Sequence, residues 1–182
     1  MQVAPQPEKK KSKRGLIALI VVAGLSVPCL GCLAAIAIPA FIGYQQRSKT
    51  SEATSELRAL FAGAAAYYDQ EHFGANGTVR THCTVDPAVT PNVPGRERTV
   101  PHPLPPSFEA LGFTPVDAVY YRYEIVSVPG CDHPSDTPLY SFRAHGDLDG
   151  DGQRSVFELA AGSDAQGRLY QAPGLFIENE LE

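Results

Sequence analysis

Apolar and polar positions divide the chain into one uncharged run, one helical stripe and several alternating segments. Residues 16–43 form an unbroken run of 28 residues without Asp, Glu, Lys or Arg. A helix of about 20 apolar residues is long enough to cross a bilayer, and one charged side chain at the bilayer centre costs roughly 3 kcal/mol. The uncharged run therefore predicts a single membrane-spanning helix.

The polar chain that follows keeps a helical spacing of apolar side chains. These side chains recur at intervals of three and four positions, which places them on one face of a helix with 3.6 residues per turn. They are Leu57, Leu60, Phe61, Ala64, Ala65 and Tyr68. We expect one helix over about residues 16–72, whose amphipathic second half, residues 44–72, packs against a folded domain.

The rest of the chain, residues 73–182, predicts a β-rich globular domain. Residues 73–117 are rich in Pro, Gly and Thr, which favours loops over a long helix. Strand-like alternation follows at residues 119–128, 139–144, 155–161 and 168–171. Short connections between the later segments predict an antiparallel sheet of about four strands. Because such a sheet must bury one face, the helical stripe is its expected cover, which gives an α+β fold.

The distribution of charge predicts the orientation of the helix. Residues 1–14 carry five basic side chains and one acidic side chain, whereas the whole chain has a formal net charge of −5. The remainder is therefore acidic. Basic flanks of membrane helices stay in the cytoplasm, so we expect a single-pass inner-membrane protein with residues 1–15 as a cytoplasmic leader. Its domain would lie in the periplasm or at the cell surface.

The acidic domain argues against nucleic acid as a partner, because phosphate binding requires clustered Lys and Arg.

Two other fates of the N-terminus compete with a retained helix. A cleaved secretory signal has a short apolar core, whereas this apolar run continues through Phe41 and Ile42. Leu30, Gly31 and Cys32 follow a basic start and an apolar stretch, as in the acylation site of a lipoprotein. A lipoprotein tethered at Cys32 would need a polar tether, but further apolar residues follow. The retained helix is favoured, and the lipoprotein is an alternative.

Two of the four cysteines lie in the predicted domain. Cys83 and Cys131 are 48 positions apart. In a domain outside the cytoplasm, such a pair predicts a disulfide. The alternative is two free buried thiols.

An acidic loop carries the chemistry that the sequence indicates most specifically. Asp147, Asp149, Asp151 and Glu158 fit the calcium-loop pattern D-x-D-x-D-G-x5-E, and the Gln153 carbonyl offers a further ligand. Strands rather than helices flank the loop, so we predict a β-turn held by calcium. Glu158 falls within the third strand, where its side chain can point away. The alternative is a solvated hairpin turn rich in Asp and Gly.

The motifs of common enzymes are missing from the sequence. The five histidines show no spacing typical of a metal site. The chain also has no G-x-S-x-G, no phosphate-binding loop and no dinucleotide-binding fingerprint. We therefore expect a protein that is not an enzyme.

Residues 33–44, with the sequence LAAIAIPAFIGY, resemble the N-terminal helix of type IV pilins and of the related pseudopilins of type II secretion. The basic leader ending in Arg14 and Gly15 resembles the prepilin leader, which a dedicated peptidase cleaves after glycine. The resemblance implies a pilin-like fold, cleavage between Gly15 and Leu16, and N-methylation of the new terminus. It also implies helix packing with other pilin-like subunits. Some pseudopilins bind calcium in their C-terminal sheet region.

One position departs from the family pattern. Family members usually carry an acidic residue at the fifth mature position, which falls on Ile20 counted from Gly15 or on Val22 counted back from Pro39. Neither side chain can ionise. The resemblance implies a structural or assembly subunit of a type IV pilus or a type II secretion-type system, and the departure at this position is consistent with a minor or initiating one. The missing carboxylate favours the alternative of a membrane-tethered calcium-binding module that does not polymerise.

Overall fold

The computed structural model describes residues 13–74, 76–115 and 117–182. The chain divides into two compact units, Met1–Gly43 and Tyr44–Glu182. Helix α1, Lys13–Asp69, contains 57 residues and includes parts of both units. The predicted long N-terminal helix is therefore confirmed over the described residues.

Helix α1 ends three residues before the predicted end at residue 72. The ring N–H of His72 donates to the Tyr67 carbonyl oxygen at 2.8 Å, and the backbone N–H of Gln70 donates to the same oxygen at 3.3 Å. These bonds satisfy a carbonyl group that the helix end would leave unpaired. His72 itself begins the first strand, so the helix cannot continue through it.

The prediction of a membrane span over residues 16–43 is not supported by the structure. Among the residues that the structure describes, no helix combines the length and the apolar character needed to cross a bilayer. The helical conformation of this segment is nevertheless as predicted.

The described part of the unit Tyr44–Glu182 forms a small hairpin and a larger antiparallel sheet. The hairpin pairs β1 (His72–Phe73) with β2 (Val79–Arg80). The sheet contains β3 (Ala88–Val89), β4 (Arg122–Ser127), β5 (Pro138–Gly146), β6 (Ser155–Ser163), β7 (Leu169–Gln171) and β8 (Phe176–Glu178). Its order is β3-β4-β5-β6-β7, and β8 also pairs with β6. Helix α2 (Pro106–Ala110) lies between β3 and β4 in the sequence.

The predicted antiparallel meander is confirmed in β4, β5, β6 and β7. The first of these strands begins at Arg122 rather than at residue 119, because Val119 forms an isolated bridge with Thr99 instead of joining the ladder. Strands β3 and β8 were not predicted. Two or three residues are too few to establish an alternation of apolar and polar side chains.

The core forms where the apolar stripe of α1 meets the inner face of the sheet. Leu57, Leu60 and Tyr68 have no exposed surface. The same core cluster contains alternate residues of three strands, namely Tyr123, Ile125, Phe142, Ala144, Phe157 and Leu159. Phe61 and Ala65 of the predicted stripe are only partly buried. Because burial of one large apolar side chain contributes roughly 1.5–3 kcal/mol, this contact dominates the stability of the unit.

The predicted disulfide between Cys83 and Cys131 is confirmed. It connects the segment after β2 to the loop between β4 and β5. Next to it, the backbone N–H of Thr84 donates to the Gly130 carbonyl oxygen at 2.8 Å. The cross-link closes a loop with a sequence separation of 48, for which the chain-entropy model gives a stabilisation of about 4 kcal/mol.

Gly63 lies where α1 passes closest to the loop after α2. A Cβ atom at this position would overlap the backbone carbonyl group of Leu111. Alanine normally stabilises a helix by about 1 kcal/mol relative to glycine, but here the overlap reverses the sign. We expect Gly63→Ala to lower the free energy of unfolding by about 1–3 kcal/mol, measured by urea denaturation.

The matched control is Gly43→Ala, because a Cβ atom at Gly43 has no neighbouring atom within 4 Å. This control should leave the stability of the unit Tyr44–Glu182 unchanged. A Gly63→Ala variant as stable as the Gly43→Ala variant would contradict the close approach.

Candidate functional site

The acidic loop connects the two longest strands of the sheet. Strand β5 ends at Gly146 and β6 begins at Ser155. Gly150 and Gly152 have φ angles of 73° and 93°, a left-handed conformation that glycine adopts without steric cost. These two glycines reverse the chain and leave the three aspartates on a compact turn.

The turn brings three carboxylates together. One oxygen from each of Asp147, Asp149 and Asp151 lies within 4.8 Å of the others. Asp149 accepts the backbone N–H of Asp151 at 3.1 Å, and Asp151 accepts the backbone N–H of Gln153 at 2.7 Å. Within the described residues, one oxygen of Asp147 is buried and has no hydrogen-bond partner. Convergent carboxylate oxygens with free lone pairs fit a hard cation such as calcium.

A fourth carboxylate near this turn could not be predicted from the sequence. Burial raises the pKa of Glu182 above its ordinary value, and the negative charges of Asp149, Asp151 and Asp147 raise it further. The Ser155 hydroxyl donates to the backbone carbonyl oxygen of Glu182 at 2.7 Å, which fixes this residue beside the start of β6. The pairing of β8 with β6 brings the chain that leads to Glu182 close to the start of β6.

Glu158 takes a different place from the one that the loop pattern predicts. Its two carboxylate oxygens accept hydrogen bonds from the Ser141 hydroxyl at 2.7 Å and from Arg143 Nε at 3.1 Å. The Ser141 hydrogen bond is the main cause that lowers the pKa of Glu158. Because Glu158 stands within β6 and pairs across the sheet, the structure gives no support to its prediction as a calcium ligand. Gln153 stays beside the aspartates, and its side-chain amide donates to Asp151 at 3.2 Å.

A second candidate site is the apolar surface of α1 in the unit Met1–Gly43. The described large apolar side chains of this unit are all exposed, and they are Ile17, Leu19, Leu30, Leu33, Ile36, Ile38, Phe41 and Ile42. Ile36 is the most exposed of them, at 74%. Contiguous apolar surface of this kind marks a place of interaction with other apolar groups. We define this set of exposed side chains as the apolar face of α1.

The sequence-predicted processing site and acylation site also lie on α1. Gly15 is exposed and follows the first residue of the helix by two positions, and cleavage between Gly15 and Leu16 stays a prediction. Cys32 is exposed and has no disulfide partner within the described residues. Helix continues on both sides of Cys32, and acylation of Cys32 stays an untested alternative.

Part of the chain is similar to a known pilin. It is 45% identical over 56 residues to the type IV major pilin protein PilA of Myxococcus xanthus (strain DK1622), and the match covers 31% of this chain and 24% of that protein. The chain thus spans about a quarter of the length of the curated relative it matches. No protein-family model matches the chain, and no solved structure matches it. The match supports a pilin-like relationship, as the resemblance of residues 33–44 predicts.

The raised pKa of Glu182 makes the stability of the turn dependent on pH. A carboxyl group whose pKa is raised by folding stabilises the protein while it is protonated, and this contribution is lost as the pH rises through the raised pKa. With calcium chelated, we expect Glu182→Gln to raise the melting temperature at neutral pH. At pH values below 4.5, the ordinary pKa of a glutamate side chain, the variant and the wild type should have the same melting temperature.

Glu97→Gln is the control for this measurement, because Glu97 is an exposed carboxylate outside the turn. It should leave the dependence of melting temperature on pH unchanged. If Glu182→Gln also left it unchanged, the proximity of Glu182 to the three aspartates would be contradicted.

Proposed function

We propose that this protein is a pilin-like subunit of a type IV pilus or of a type II secretion-type system, and that it joins other pilin-like subunits through the apolar face of α1. The single observation that carries this proposal is the contrast between the two parts of one helix. Residues of α1 after Tyr44 bury their apolar stripe in the core, whereas the apolar side chains described before it remain exposed.

Burial of that apolar face supplies the driving force for assembly. Each large aliphatic side chain removed from water contributes roughly 1.5–3 kcal/mol, and α1 offers several of them along consecutive turns. The partial match to a type IV major pilin supports the choice of other pilin-like helices as the partners. In this proposal the folded domain stays outside the packed helices and faces the cell exterior.

The proposal includes a maturation step before assembly. A prepilin peptidase would remove the basic leader after Gly15 before the helix is packed into a filament. The support is the basic block before Gly15 and the uncharged run after it. The apolar residues Ile20 and Val22 at the positions of the usual carboxylate favour a minor or initiating subunit over the bulk subunit. The alternative remains a tethered module, or a lipoprotein anchored at Cys32, that does not polymerise.

Substitution of Ile36 tests assembly through the apolar face. In cells that carry the assembly machinery, we expect Ile36→Asp to lower the amount of protein in the sheared filament fraction at least about tenfold. The physical reason is that an apolar helix interface cannot bury an unpaired carboxylate without a cost of several kcal/mol. The measurement is quantitative mass spectrometry of sheared filaments and of the remaining cells.

The matched control is Ile36→Leu, which keeps the apolar volume and should assemble as the wild type does. Both variants should keep the unfolding transition of the unit Tyr44–Glu182, because Ile36 lies outside it. Absence of the wild-type chain from filaments and secretion complexes would contradict the proposal and favour the tethered module.

We propose also that the acidic turn binds calcium through Asp147, Asp149 and Asp151. The favouring observation is their convergence within 4.8 Å together with the buried oxygen of Asp147 that lacks a partner. The carbonyl oxygen of Gln153 is a further available ligand, and Glu182 adds negative charge at the same turn. Calcium would hold the β5–β6 connection rigid and neutralise the mutual repulsion of these carboxylates.

Thermal unfolding with and without calcium tests this second proposal. We expect calcium at a hundred times its dissociation constant to stabilise the wild type by about 2.7 kcal/mol. Asp149→Asn and Asp151→Asn should remove most of this gain. Asp86→Asn, which changes an exposed carboxylate outside the turn, should keep it. Equal melting temperatures of the wild type in calcium and in chelator would contradict calcium binding.

A further inference from the structure

We propose that the outer face of the sheet carries a binding site for a small oxyanion, a phosphate or carboxylate group, formed by Arg122, His145 and Arg154. This site shares no residue with Asp147, Asp149 and Asp151 or with the apolar face of α1. It belongs entirely to the unit Tyr44–Glu182.

Three neighbouring segments of the sheet bring the basic side chains to one pocket. Arg122 on β4 is the direct cross-strand partner of His145 on β5, and Arg154 immediately precedes β6. Together with Val89 and Glu124, they line a pocket of about 170 Å³. A pocket of this volume accommodates one phosphate or carboxylate group rather than a drug-sized ligand, which needs roughly 300 Å³ or more.

The direction of these side chains follows from the pleat of β4. Its alternate residues Tyr123 and Ile125 are buried in the core, so Arg122 and Glu124 stand on the opposite face. The sequence alternation therefore places the arginine outside the core. It does not by itself show that His145 and Arg154 lie next to it, because that depends on the strand register.

The side chain of Arg122 supplies the decisive observation. Its Nε atom is buried and has no hydrogen-bond partner within the described residues. A buried donor that loses water without gaining an acceptor destabilises the folded state. Arg122 also has no salt-bridge partner within the described residues, and an oxyanion in the pocket would supply one. The planar guanidinium fork of arginine also matches the oxygen spacing of carboxylates and phosphates.

The acidic side chains near the pocket are already engaged with other partners. Glu124 Oε2 lies 3.1 Å from His145 Nε2 and 3.8 Å from Arg143 Nη1. Glu158 forms a salt bridge with Arg143, in which Arg143 Nε lies 3.1 Å from Glu158 Oε2. Within the described residues, neither Arg122 nor Arg154 forms a salt bridge. Two positive charges at this pocket thus remain without an anion, in a chain whose net charge is −5.

Calorimetric titration of the full-length chain in detergent tests the site, with inorganic phosphate and with acetate as separate probes at constant ionic strength. We expect saturable binding of at least one of the two anions. Arg122→Gln and Arg154→Gln should each weaken it about tenfold or more, as expected for loss of a charge-assisted hydrogen bond. Tighter phosphate binding would identify a phosphate group as the ligand, and tighter acetate binding would identify a carboxylate.

Arg168→Gln is the matched control, because Arg168 is an exposed arginine that pairs with Asp164 at 2.9 Å elsewhere in the domain. It should bind the anion as the wild type does. The Nε–H resonance of Arg122 provides a second readout in the unchanged protein, and it should shift on saturation. Absence of saturable binding of both anions, or equal binding by wild type, Arg122→Gln and Arg154→Gln, would overturn the proposal.

Discussion

The burial of Leu57, Leu60 and Tyr68 against the inner face of the sheet is the contact on which the folded unit depends. Neither element can exist alone in water, since the sheet has one apolar face and the helix has one apolar stripe. Their union buries side chains of β4, β5 and β6 together with those of α1 in one cluster. The disulfide between Cys83 and Cys131 adds a covalent restraint between two loops of the unit.

This packing determines where the chemistry of the domain is displayed. With the inner face of the sheet covered by α1, polar side chains of the strands occupy the opposite face, where Arg122 and Glu124 are found. The loop between β5 and β6 lies at one end of the two longest strands, so its three aspartates are held by a well-anchored hairpin. The large apolar side chains described in residues 15–43 are exposed.

The sequence predicts those features that depend on local periodicity. The spacing of Leu57, Leu60 and Tyr68 identifies the buried stripe, and the alternation from residue 119 onward identifies the sheet. The sequence does not predict features that depend on strand register or on long-range pairing. Strand β8 is too short to recognise, and the approach of Glu182 to the acidic turn depends on the pairing of that strand and on the Ser155 hydrogen bond. The loop pattern does not predict the contacts of Glu158 with Ser141 and Arg143, because these depend on the pairing of β5 with β6.

The central claim is that α1 uses one stripe for its own domain and its apolar face for partner subunits. The most direct test replaces Ile36 by a photoreactive amino acid and irradiates intact cells that carry the assembly machinery. The account predicts a covalent product in which this position is joined to the N-terminal helix of another pilin-like subunit, identified by mass spectrometry. Adducts with lipid alone, or no cross-linked protein at all, would contradict the claim and leave a tethered domain that does not assemble.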